Sequence, residues 1–210
     1  MDEQGHPRLP PRPSLTQLRD AAQRCQACDL WAHATQAVFG EGKRSAKVVF
    51  VGEQPGDQED KLGHPFVGPA GHVLDDALAE AGIDRAEVYL TNAVKHFKWK
   101  PAPTGKRRIH ERPNAGEIAA CRFWLETELQ LLKPRLIVAL GATAAQALFG
   151  RTFKVTKQRG KPIATPLAAH GIATVHPSSI LRATDDASRR AEYRAFVKDL
   201  RAVARLMGGH

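Results

Sequence analysis

The chain has only three cysteines in 210 residues, too few for a disulfide framework. It has no apolar run near the roughly 18 residues a membrane-spanning helix needs. Its opening, MDEQGHPRLPPRPS, lacks the apolar core of a secretory signal. Acidic residues are in deficit, 22 against 31 Lys and Arg, for a net charge of +9. These shortages point away from secreted, disulfide-stapled and membrane-embedded classes. They leave a cytoplasmic protein without membrane contact as the expectation. Residues 1–13 are expected to form a flexible leader, and 14–210 a single domain without repeat or internal linker.

The basic excess is concentrated rather than spread. Between Lys95 and Arg112 lie Lys98, Lys100, Lys106, Arg107 and Arg108, against the single acid Glu111. Phe97 and Trp99 interrupt the cations. Cations for phosphates beside aromatic faces for bases suit single-stranded or distorted nucleic acid. A merely soluble basic surface is the plainer alternative.

Periodicity supplies an outline. Lys47–Gly52 (KVVFVG), EVYLTN, RLIVALG and IATVHP read as four short buried strands. Between them lie helical patterns at AGHVLDDALAEAGI, at the segment opened by Asn114 and Glu117, and at ATAAQALFG. A first helix begins at Ser14, and DDASRRAEYRAFVKDLRAVARLM closes the chain. Alternating strands and helices predict a three-layer α/β/α fold around a central, mostly parallel, four-stranded sheet. Ligands of such sheets bind beyond the carboxyl ends of the strands. Here those ends are GEQPG, TNAVKH, LGAT and HPSS.

Each strand end offers candidates with a plainer alternative beside them. Gly52 and the loop after it let backbone approach a ligand, and Glu53 points into the crevice. Phe66 reads as core or as a stacking face. Asn92 can pair with an amide-like edge or simply cap a turn. His176 precedes a rigid proline and is structural or catalytic. Cys25 and Cys28 form a CxxC pair, compatible with metal, redox chemistry or chance, and Cys121 stands alone.

Together GEQPG…ED, GHPFVGPAG, TNAVK, the AACRFWLETEL helix, IVALGATA and HPSS resemble the uracil-DNA glycosylase superfamily, and most closely its family-four, iron–sulfur members. The resemblance runs from about Cys25 to the last helix. It implies excision of uracil from DNA, with single strands preferred, by a monomer. It implies that Phe66 stacks on the base and Asn92 reads its edge. His176 and the backbone around Gln54 and Gly52 would stabilise charge on uracil. It also implies a 4Fe–4S cluster. Family-four members carry a cysteine where this chain has His96, so the ligands would be Cys25, Cys28, His96 and Cys121. Zinc is the alternative metal, and His33 a competing ligand.

The segment WKPAPTGKRRIHERPN lengthens the connection after His96, and its KRRIH resembles the loop of the UdgX branch. That likeness implies that His110 captures the sugar cation covalently, with Glu53 orienting the ring and taking its proton, in a single turnover. Lys95, Lys98, Lys106, Arg107, Arg108, Ser178 and Arg182 are the expected DNA contacts. Two alternatives stand beside this: a conventional multiple-turnover glycosylase whose loop only grips DNA, and a non-catalytic iron–sulfur nucleic-acid-binding protein.

Overall fold

A computed structural model describes residues 1–105 and 107–208. Its strands are β1 (Val48–Gly52), β2 (Val88–Asn92), β3 (Trp99–Pro101), β4 (Arg108–His110), β5 (Leu136–Leu140), β6 (Ile163–Thr165) and β7 (Ala168–Thr174). Its α-helices are α1 (Leu15–Ala22), α2 (Asp57–Leu62), α3 (Pro69–Glu80), α4 (Ala115–Leu132), α5 (Ala142–Phe149), α6 (Val155–Gln158), α7 (Pro177–Leu181) and α8 (Asp186–Gly208). No helix among the described residues is long and apolar enough to cross a membrane.

The main sheet runs β2-β1-β5-β7-β6, with the first four strands parallel and β6 antiparallel to β7. The expected α/β/α layering is present, but the sheet has five strands instead of four. The missing strand has only three residues, set between Pro162 and Pro166, so it carries no readable apolar alternation.

Strand side chains alternate between two covered faces, which is why these strands read as unbroken apolar runs. Val48, Phe50, Leu90 and Val138 pack with Leu74 and Leu78 of α3 and Phe196 and Leu200 of α8. Val49, Val51, Ile137 and Ala139 pack with Leu125 and Leu129 of α4 and Ala144 and Leu148 of α5. A third cluster joins α1 to α4 through Leu18, Ala22 and Trp124, and includes Cys25 and Cys121.

Local chemistry sets the helix ends. The Ser14 hydroxyl accepts from the backbone N–H of Gln17, whose side chain accepts from the Ser14 N–H in return. Asn114 and Glu117 make the same reciprocal pair at the start of α4. Lys133, at φ 49°, ends that helix in the left-handed region just before Pro134. Within the leader, His6 is buried, its Nε2 2.8 Å from the carbonyl of Ala120 on α4.

The lengthened segment is a β-hairpin. Trp99 pairs with His110, Lys100 with Ile109 and Pro101 with Arg108. It stands apart from the main sheet, between β2 and α4.

Candidate active site

The carboxyl ends of the parallel strands surround a cavity of about 950 Å³, lined by Glu53, Gln54, Phe66, Asn92, His110, Thr143, His176 and Arg182, among others. A second cavity of about 500 Å³ lies between α4 and α5 and shares Arg112 and Thr143 with the first.

Asn92 ends β2 with its side chain buried, and its Oδ1 has no hydrogen-bond partner among the described residues. A buried amide oxygen without a donor costs roughly 1–3 kcal/mol, so the position suits a ligand that brings an N–H. Gly52 makes the room for this. A Cβ there would lie 2.3 Å from Asn92 Oδ1 and 2.7 Å from the Phe66 ring. Phe66 adopts φ 57°, a conformation costly for an aromatic residue. The turn is possible because Gly71 packs on it: a Cβ on Gly71 would sit 1.9 Å from the Phe66 carbonyl. The Phe66 ring stacks with the His176 ring, centroids 6.2 Å apart at 27°.

His176 caps α7. Its Nδ1 accepts from the backbone N–H of Ser178 at 3.2 Å and lies 2.8 Å from the Ser178 hydroxyl. Arg182 donates to that hydroxyl at 2.9 Å. Burial pushes the His176 ring down to about 4, helped by the nearby Arg182 and His110 charges. The ring is therefore neutral at pH 7, and with Nδ1 accepting, its proton sits on Nε2. It is a neutral hydrogen-bond donor at the cavity wall.

The hairpin brings His110 to the same cavity, with Nε2 3.6 Å from Glu53 Oε1. Half of the His110 side chain is exposed. Partial burial still holds its pKa below the ordinary histidine value, with Glu53 opposing and Arg182 reinforcing the shift. On its other oxygen, Glu53 accepts from the Thr143 hydroxyl, which in turn accepts from Arg112 Nε at 3.0 Å.

Two neighbours fix the hairpin. The Gln54 side chain donates to the carbonyls of Lys98 (3.1 Å) and Glu111 (2.9 Å) and accepts from the Lys98 N–H, closing the hairpin's base. Arg108 donates to Asp57 and to the buried Asp60, both at 2.6 Å, and lies over the Phe97 and Trp99 rings. Residues two apart on a strand share a face, so the ion pairs of Arg108 orient the side from which His110 projects.

Several of the expected DNA contacts are engaged in ion pairs within the fold. Arg108 is committed to Asp57 and Asp60 and is mostly buried. Lys95 is fully buried, 2.5 Å from Glu128 Oε2, and also donates to Thr91 and to the Asn92 carbonyl. Its ammonium is taken up by this internal pair, so the basic stretch overstated the free charge. Lys98 is paired with Glu117. Arg107 and Arg182 are exposed, whereas Ser178 braces His176. Lys106 lies outside the described residues.

The three cysteines are unpaired, with Cys25 and Cys121 buried in one cluster and Cys28 packed against it. The Lys95 N–H donates to Cys121 Sγ and Trp124 Nε1 to Cys25 Sγ, both at 3.1 Å. Burial pushes the Cys121 thiol up to about 12 and the His96 ring down to about 4. Among the described residues no three His, Cys, Asp or Glu side chains are placed to hold a single metal ion. His33 is exposed. The donor set, three thiols of which Cys25 and Cys121 receive an N–H group, fits an iron–sulfur cluster in kind, since ligands of a cubane stand wider apart than those of one ion.

A model of the Uracil DNA glycosylase superfamily matches residues 39–201. The chain belongs to that superfamily. It is 41% identical to a Type-4 uracil-DNA glycosylase of Thermotoga maritima over 174 residues, covering 82% of this chain and 86% of the relative. It is 36% identical to a Type-4 enzyme of Sulfurisphaera tokodaii, covering 80% and 76%. A Type-5 uracil-DNA glycosylase of Pyrobaculum aerophilum is 27% identical, covering 80% and 77%. At its strand ends the chain carries His176, an Asn92 amide oxygen without a partner among the described residues, and the Glu53 carboxylate 3.6 Å from the His110 imidazole.

The fold brings together Gly52, Glu53, Phe66, Asn92, His110 and His176, all marked by the sequence. Thr143, Arg112, Asp57 and Asp60, which carry no such individual mark, join them. Thr143 lies in the LGAT strand end that the sheet rule already marked.

Proposed function

We propose that the chain is a uracil-DNA glycosylase of the UdgX type, which excises uracil and then bonds the abasic sugar through His110. The observation that carries the reading is the 3.6 Å approach of His110 Nε2 to Glu53 Oε1 beside a pocket whose Asn92 Oδ1 is unpaired. The substrate is uracil-containing DNA, preferably single-stranded, and the acting form a monomer.

The extruded base stacks on Phe66. The Asn92 amide pairs with its imide edge, accepting from N3–H and donating to O4. The bond from sugar C1′ to uracil N1 breaks with its electron pair passing to the base. His176 Nε2–H donates to the oxygen where that charge gathers. The carboxylate of Glu53 faces the sugar cation. His110, neutral at pH 7 and with its proton on Nε2 toward Glu53, gives the Nδ1 lone pair to C1′ to form a C–N bond, and the Nε2 proton passes to Glu53. Uracil departs after taking up a proton. A 3.6 Å separation is longer than a hydrogen bond, and such contacts tighten when substrate binds.

Cys25, Cys28 and Cys121, with His96 as fourth ligand, would hold a 4Fe–4S cluster that braces α1 and α4 behind the site.

The test is incubation with a uracil-containing oligonucleotide followed by boiling in detergent. A surviving equimolar protein–DNA species, with the sugar mapped to the His110 peptide, supports capture, and its loss in His110→Ser assigns the nucleophile. Free uracil in molar excess over enzyme, without the species, favours the conventional glycosylase. Neither product leaves a nucleic-acid-binding protein.

A further inference from the structure

We infer that Thr143 is a positioning residue for Glu53, fixing the carboxylate so that one oxygen is tied down and the other faces His110. The inference rests on the capture reaction proposed above.

The direction of each hydrogen bond follows from proton counting. Arg112 Nε–H can only donate, so at 3.0 Å it takes a lone pair of the Thr143 oxygen. The single hydroxyl proton of Thr143 is then available to Glu53 Oε2, the contact observed. Oε2 is occupied, and Oε1 is the atom left toward His110 at 3.6 Å. Arg112 itself lies 3.9 Å from Oε2 and is 59% exposed, so its charge acts through solvent and weakly.

Thr143, by contrast, is 2% exposed. It stands in the first turn of α5, where a β-branched side chain has few rotamers. The chain enters that turn through Gly141, at φ 90°, where His176 leaves little room for a side chain: a Cβ on Gly141 would lie 3.0 Å from His176 Cβ. The turn that seats Thr143 therefore packs on the residue that faces the base. A buried hydroxyl on a stiff rotamer orients a carboxylate in advance, and such preorganisation is expressed in rate rather than in binding.

Three variants test this: Thr143→Val keeps shape and stiffness without the hydroxyl, Thr143→Ser keeps the hydroxyl, and Thr143→Ala loses both. The assay is the single-turnover rate of adduct formation over a series of uracil-DNA concentrations. Valine should slow capture at saturating DNA by roughly tenfold, the size expected for one hydrogen bond to a charged group. The half-saturating concentration should stay within about twofold of wild type, since no DNA contact is removed. Serine should restore the rate to within about threefold, and alanine should fall with valine. The inference is overturned if valine captures at the wild-type rate, if serine is as slow as valine, or if only the half-saturating concentration moves. A wild-type protein that forms no adduct refutes the capture reading itself, a result distinct from any of these.

Discussion

Replacing Arg108 by glutamine separates two roles that a basic hairpin can have. Arg108 bridges Asp57 and Asp60 at 2.6 Å each, with its side chain 17% exposed and Asp60 fully buried. Breaking a buried ion pair costs about 3–5 kcal/mol because the remaining charge is stranded. Asp60 keeps the N–H and hydroxyl of Thr35 as donors, which argues for the lower end, about 3 kcal/mol. Asp57 is 35% exposed and also pairs with Lys61, so it adds little. At about 1.4 kcal/mol per factor of ten, the docked hairpin loses up to roughly 100-fold in population. Capture should slow by up to that factor, measured as single-turnover adduct formation on a denaturing gel. A phosphate contact makes a different prediction, a loss of nearly one unit in the slope of log affinity against log salt. The structural role requires that slope to stay constant. Wild-type capture in Arg108→Gln, or a slope reduced by about one, refutes the argument.

Asn92→Ala should reduce uracil excision at least about 100-fold, because the polar edge of the base would be buried without partners. Binding to undamaged DNA should change less than about threefold, and an equal loss of both would overturn the assignment. Capture should weaken as the solution is made acid, with its midpoint below the ordinary histidine value. The sign follows from burial, which disfavours the protonated ring and so keeps the His110 lone pair available below the ordinary histidine pKa of about 6.5. A rate midpoint above that value contradicts it. Protein purified without oxygen should hold about four irons per chain, and Cys121→Ala should strip them and lower the thermal midpoint; stoichiometric zinc instead would exclude the cluster.

The parts of the fold that could be read in advance are those whose side chains obey one period. The four parallel strands are apolar on both faces, and Asn114 with Glu117 announces α4 by local hydrogen bonding alone. The strand between Pro162 and Pro166 and the hairpin from Trp99 to His110 are too short, and too rich in proline and charge, to show a period. The site divides in the same way. Glu53, Asn92 and His176 stand where strands end, a place topology marks before any contact is known. The commitment of Arg108 to Asp57 and Asp60, far away along the chain, has no local signature. Lys95 shows the limit of counting charge: in sequence it belongs to a basic stretch, and in the fold it is a buried partner of Glu128.

The arrangement assigns base and sugar to different kinds of support. The groups proposed to meet the base, Asn92, Phe66 and His176, are held by the sheet and by close backbone packing at Gly52, Gly71 and Gly141. The group proposed to meet the sugar is half exposed and sits on a two-stranded hairpin outside that sheet. Its position depends on a few side chains: Gln54 at the base of the hairpin and Arg108 on the face it shares with His110. Loosening those contacts withdraws the imidazole without disturbing Asn92 or His176. Excision and capture are then separable in principle, because the energy that docks the hairpin is distinct from the energy that builds the base pocket. Glu53 joins the two, tied to α5 through Thr143 and facing the hairpin through its other oxygen. Variants of the hairpin should therefore lose the adduct before they lose uracil release, whereas variants of Glu53 should impair both.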